Sequence, residues 1–348
     1  MGSAGHRLPS SIDPINAVDP RHLSMGPALD DEFEPGMTSL HGVSLPYAGW
    51  VEQMTGCSPS VAQALRPFPQ YCDNLQGLNE NHGESRYNSL QVKLEKRFAN
   101  GFYGLVSYTL SKTISSGSDD TQREALTWNG AQGVISPFER ERNEAIAVTD
   151  TPHVLSAAFV YELPFGSGKR FLNAGGVRNA LLGGWQISTI FRYSSGLPLF
   201  FRVGGTACNV PGPFRAGCIP AIINPDAVFA QEKGSFDPAK GPLLDVTAFE
   251  PVSAFNFYRG RGNRIEESVR GFGYHNQDLA FVKNARVPGG TNLQLRVEVF
   301  NFWNWHMFTY GAWGNAAFNT DLSSPDFGTW NGTVSDPRSI QLAARFEF

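Results

Sequence analysis

The chain has little charge and no long apolar run. Of its 348 residues only 17% are charged, and the formal net charge is -4. That balance gives a nucleic-acid role no electrostatic support. No apolar stretch approaches the ~18 residues that a membrane helix needs, so any crossing of a bilayer must use strands. The first ten residues, Met1-Gly-Ser-Ala-Gly-His-Arg-Leu-Pro-Ser10, contain no apolar core of a signal peptide. Metal-ligand spacing is missing among the seven histidines and four cysteines. No nucleophile elbow or paired-carboxylate context occurs, so the expectation is a non-enzyme without cofactor or metal.

Phenylalanine, by contrast, is abundant at 26 residues, and mean hydropathy is only -0.24. Many aromatics with few charges exclude a disordered chain. Alternating strands reconcile the two numbers, because every second residue is polar. The last segment shows the pattern plainly. Ile340, Leu342, Ala344, Phe346 and Phe348 fall on one side of an extended chain, and Gln341, Ala343, Arg345 and Glu347 on the other. An aromatic final residue on such a strand is the usual end of an outer-membrane β-barrel.

Similar segments recur upstream. They are Asn88–Phe98, Phe102–Lys112, His153–Phe165, a long one from Trp185 to Val203, a weak one at His275–Ala285, and Leu293–Phe302. Pro198 makes a bulge or break expected in the fourth. About seven strands result, each close to the 9–11 residues that cross a bilayer. With Phe348 on the periplasmic side, Val287–Gly290, Gly166–Gly184 and the Ala99-Asn100-Gly101 hairpin all become periplasmic turns. A short helix is expected near Val177–Leu182. The connections Thr113–Asp150, Gly204–Phe272 and Trp303–Pro337 fall outside, which is the asymmetry of such barrels. The predicted architecture is all-β: an antiparallel transmembrane β-barrel portion, an open sheet if alone, with long external loops. Residues 1-85 read as a long extracellular arm and 86-348 as the barrel segment.

The same placement puts Phe98, Phe102, Phe165, Trp185 and Phe348 in a periplasmic aromatic girdle. Cys57 with Cys72 and Cys208 with Cys218 form two local pairs in external loops. In an oxidising compartment they staple those loops; in a reducing one they are four thiols. The inward residues Lys93, Glu95, Arg97, Arg192, Asp278, Arg296, Glu298 and Arg345 either line a passage or form salt bridges to a plug or between strands.

Three tempting motifs carry no chemistry. Gly166-Ser-Gly-Lys-Arg170 lacks the upstream glycine and the Ser/Thr of a phosphate loop. Gly260-Arg-Gly-Asn-Arg264 follows no parallel-strand signal. Asp119-Asp120 and the Asp321–Asp326 region read as solvated loop carboxylates.

Tyr87-Asn-Ser-Leu-Gln-Val-Lys-Leu-Glu-Lys-Arg-Phe98, Val106-Ser-Tyr-Thr-Leu-Ser-Lys112 and Tyr161-Glu-Leu-Pro-Phe-Gly166 resemble the carboxyl-terminal barrel of Oar-like TonB-dependent receptors. So do Gly183-Gly-Trp-Gln186, Tyr193-Ser-Ser-Gly-Leu-Pro198 and Glu298-Val-Phe-Asn-Phe302, and Ala64-Leu-Arg-Pro-Phe-Pro-Gln-Tyr71 is similar to the loop before that region. The resemblance covers the chain from about Asp19 onward. It implies a barrel of roughly 22 strands with a plugged lumen, a plug domain and amino-terminal barrel portion working with TonB, and transport of a solute. Partners would be outer-membrane lipid and the barrel-assembly machinery, which would read Phe346 and Phe348. Signal peptide, plug and TonB-contacting segment have no match in this sequence. The alternative is a secreted soluble all-β binding module or adhesin.

Overall fold

In the computed structural model, residues 1–8, 13–72, 75–77, 81–116, 136, 138–173, 175–211, 218–286, 292–308 and 317–347 are described. They build one nine-stranded antiparallel sheet with a cap of packed loops on one end. The strands are β1 (Gly2–Leu8), β2 (Gly83–Ala99), β3 (Phe102–Ser115), β4 (Ala145–Ile146), β5 (His153–Glu162), β6 (Trp185–Ser194), β7 (Tyr274–Arg286), β8 (Asn292–Phe300) and β9 (Ser339–Glu347). Their order is β1-β2-β3-β5-β6-β7-β8-β9, with the two-residue β4 beside the end of β3. Among the described residues the sheet is open, with β1 and β9 as its edges.

At one end of the sheet the connections are the shorter ones. Between β2 and β3, Asn100 and Gly101 both have positive φ (54° and 77°), which lets two residues reverse the chain with the twist a hairpin needs. A Cβ on Gly101 would also stand 3.3 Å from the Glu162 carbonyl oxygen. Between β5 and β6 the expected helix forms at Gly176–Leu182. The β7–β8 turn at Val287–Gly290 lies outside the described residues; the pairing of Arg286 with Asn292 brackets it.

Register places one kind of side chain on each face. One row runs Phe102, Tyr161, Ile187, Phe281, Val297, Leu342 across six strands. The row above it runs Gly104, Phe159, Thr189, Leu279, Val299, Ile340. A one-residue slip would turn every side chain to the opposite face, so these unbroken rows set the register. Many of these apolar residues lie open, Leu94 at 66% and Leu342 at 74%. In water such an exposed sheet face would be an aggregation surface; in a bilayer it is the lipid-facing band.

Four expectations need correction. The arm is not loop throughout, since Gly2–Leu8 pairs with Gly83–Asn88 of β2. The third strand stops at Glu162 rather than Phe165, because Pro164 cannot donate to a ladder. The fourth ends at Ser194 rather than Val203: Pro198 and Leu199 leave the sheet and pair instead with Glu266–Arg270. The fifth, which looked weakest, is a 13-residue strand paired on both sides. Its pattern is faint because Val282 points inward and Lys283 points outward.

Candidate functional site: the external cap and the membrane interface

The long connections contain the largest buried core among the described residues. After leaving the sheet, Leu199, Phe201 and Val203 keep their alternation and bury all three side chains in the cap. Phe249 lies 4.5 Å from Phe201 and edge-on to Phe327 at 5.5 Å, ring centroid to centroid. Phe236, Phe272, Phe308 and Phe318 extend the cluster. The Gly204–Phe272 and Trp303–Pro337 connections thereby share one core, although among their described residues there is no α-helix and no strand longer than Glu266–Arg270. A second cluster gathers arm residues Val18, Leu29, Phe33, Trp50 and Val61 with Phe257 of the cap, so the arm packs onto the loops. Sequence reading missed both cores because their aromatics recur at irregular spacing, with neither a period of 2 nor one of 3.6.

Polar groups fasten the cap to the sheet. Arg264 is almost fully buried; its Nε donates to the Asn143 carbonyl at 2.9 Å, and its Nη2 to the Ser115 carbonyl at 2.9 Å and hydroxyl at 3.1 Å. Arg270 forms an ion pair with buried Asp150 at 2.7 Å, and the other Asp150 oxygen accepts from the Thr113 N–H at 2.7 Å. Arg259 pairs with Glu139; burial pushes its guanidinium down to about 10, with Glu139 opposing that shift and Arg142 adding to it. Tyr258 donates to Glu250 at 2.8 Å, and burial first, then that bond, raises its hydroxyl above the ordinary value. Asp321, expected as a solvated loop carboxylate, accepts from the Gly204 N–H at 3.0 Å and faces Arg202 at 3.4 Å. Asp119 and Asp120 lie outside the described residues.

The four cysteines are joined as expected, Cys57 to Cys72 and Cys208 to Cys218, one bond in the arm and one in the cap. Closing loops of 15 and 10 residues removes unfolded-state entropy worth about 3 kcal/mol each.

At the turn end of the sheet, Phe98 is exposed, Phe102 stacks on Phe159, and Trp185 donates its indole N–H to the Leu181 carbonyl at 2.9 Å. Phe165 packs on Phe171 within the β5–β6 turn, beyond the strand that was expected to carry it. Phe346 is exposed opposite Leu293; Phe348 lies outside the described residues. Two outward lysines at this end also bend toward polar or aromatic partners. Lys96 reaches the Ala99 carbonyl and the Phe102 ring, and Lys283 reaches the Gly183 carbonyl and the Trp185 ring. Such snorkelling keeps an ammonium at the interface while its stem covers apolar surface.

The far end has an aromatic belt that the sequence reading did not assign. Tyr108, Tyr193, Trp303 and Trp305 stand there. Trp303 donates to Gln277 at 2.7 Å, and Trp305 packs edge-on to His275 at 4.6 Å. From Trp185 to Tyr193 the chain rises ~27 Å along the strand, or roughly 20 Å at the usual tilt, about the height of a lipid-facing band.

On the opposite face, several inward charges pair along their own strands rather than between strands. Lys93 pairs with Glu95 at 3.0 Å, Arg296 with Glu298 at 3.3 Å and Arg345 with Glu347 at 2.9 Å, each two residues apart on one strand. Asp278 accepts from the Asn301 N–H at 2.9 Å. That face is less polar than expected: Leu105, Val154, Val160 and Ile190 share it, with Val154 at 40% and Ile190 at 45% exposure. No group of three or more metal-ligating side chains occurs among the described residues.

An antiparallel sheet with one lipid-suited face, aromatic residues at both rims, short turns at one end and long loops at the other is the wall of an outer-membrane β-barrel. Residues 1–341 match the family described as Outer membrane beta barrel domain, and the chain belongs to that family. The protein is therefore placed in the outer membrane. No curated protein and no solved structure matches it. The soluble-module alternative falls with this assignment.

Proposed function

We propose that the chain is a wall-and-cap portion of a TonB-dependent outer-membrane receptor, in which the cap captures a solute outside and a plug fills the lumen. The inward face carries the argument. Three ion pairs along single strands neutralise several of its charges, while Val154 and Ile190 lie open on it. A water-filled passage gains nothing from exposed valine and isoleucine, whereas a packed protein plug covers them. The open edges at β1 and β9 point the same way, because unpaired backbone groups cannot face lipid, and pairing with further strands satisfies them. The motif resemblance to Oar-like receptors supports the finer assignment, as do the two disulfide-stapled external segments. The work of such a protein is binding and passage rather than bond chemistry, and Phe346 at the end of β9 would serve recognition by the barrel-assembly machinery.

A photo-crosslinking residue placed at Ile190 in cells tests this reading, with one at Leu279 for comparison. Ile190 should link to protein and Leu279 to lipid. Lipid or solvent adducts alone at Ile190 would overturn the plug.

A further inference from the structure

A cavity of about 690 Å³ lies where the lipid-facing side of the sheet meets the overhanging cap. Tyr193 and His275, paired in register on the outward side of β6 and β7, form its floor. Trp305 and Phe272 wall it, and Lys233 and Arg270 of the cap overhang it. Among the described residues no carboxylate lines it. Arg270 is tied to Asp150 at 2.7 Å, which leaves Lys233 as the cation best placed to reach a ligand. The Lys233 ammonium donates to the Arg270 carbonyl at 3.2 Å and lies 4.8 Å from the centre of the Phe229 ring. Partial burial first, then the Arg270 charge, holds its pKa below the ordinary lysine value, and the second of these causes reflects a positive local potential that an anion would offset. Its height is that of the outer aromatic belt, where the apolar band gives way to headgroups.

We infer that this cavity docks the phosphate-bearing headgroup of an anionic lipid in the external leaflet, with Lys233 as its charge partner and Trp305 and Tyr193 against the lipid's upper chain and backbone. A site on the lipid-facing side, at headgroup height, with cations above and aromatic rings below, matches an amphiphile whose charge lies outward of its apolar part. It does not match a solute entering the lumen, because the sheet separates the two.

The test is native mass spectrometry of the full chain extracted from outer membranes into micelles containing equal phosphatidic acid and phosphatidylcholine. The protein should retain phosphatidic acid in preference. Lys233→Gln should lower that retention about tenfold, the worth of one charge-assisted hydrogen bond. Lys233→Arg should keep it, as should Lys169→Gln at the opposite end of the sheet. Excess inorganic phosphate should leave the lipid bound. Equal retention of both lipids, no change in Lys233→Gln, an equal loss in Lys169→Gln, or displacement by inorganic phosphate would each overturn the inference.

Discussion

Leu279→Arg and Ala280→Arg are adjacent substitutions that the fold treats in opposite ways. Leu279 sits on the outward face, paired with Thr189 on one side and Val299 on the other. It is midway between the Trp185 row and the Tyr193 row, and so close to the bilayer centre. Ala280 is one residue on, at nearly the same depth, but it faces inward and pairs with Ser188 and Glu298. An arginine on the lipid face at the midplane costs ~2–4 kcal/mol, whereas lumen-side substitutions cost little. At position 280 the new guanidinium meets Glu298, so the expected change is within ~1 kcal/mol. The assay is urea unfolding in isolated outer membranes, where the open edges have partners, followed by loss of protease resistance. A difference of ~2 kcal/mol or more between the two variants, with Leu279→Arg the weaker, is the expected result. Equal stability, or the reverse order, would refute the assignment of faces and with it the membrane reading of the sheet.

The cap gives further expectations. Phe249→Ala removes a ring packed between Phe201 and Phe327 and should cost about 3–5 kcal/mol of cap stability, read as faster proteolysis of residues 218–272. Arg264→Met deletes three hydrogen bonds that join cap to sheet and should cost about 3 kcal/mol, with hydrogen exchange rising around Asn143 and Ser115. Reducing the two disulfides should loosen arm and cap while strand protection in β5–β8 stays unchanged. Gly101→Ala forces a side chain into a positive-φ turn and should cost roughly 1 kcal/mol in the same urea assay.

The sheet was legible because its period of 2 is enforced residue by residue. In Leu293–Phe302 and Ile340–Phe348 a single misplaced side chain would meet the wrong solvent, so the pattern survives in the chain itself. Asn100-Gly101 was legible for a similar reason, since few other pairs adopt that turn. Alternation alone misled at Leu199, Phe201 and Val203. There the period continues past the break, but the buried side faces a loop core instead of lipid. The cap was illegible because Phe236, Phe249, Phe272 and Phe318 meet through contacts far apart in the chain. The outer belt was hidden in the same way: Trp303 and Trp305 lie past the end of β8 and reach the sheet only by folding back onto Gln277 and His275.

On this assignment the sheet crosses the outer membrane with the cap outside and the shorter turns inside. Two exposed positions report on it, Lys240→Cys in the cap and Ser167→Cys in the β5–β6 turn, because the native cysteines are all in disulfides. With a membrane-impermeant maleimide on intact cells, Lys240→Cys should label and Ser167→Cys should label only after the outer membrane is permeabilised. Labelling of Ser167→Cys on intact cells, or protection of Lys240→Cys, would contradict it.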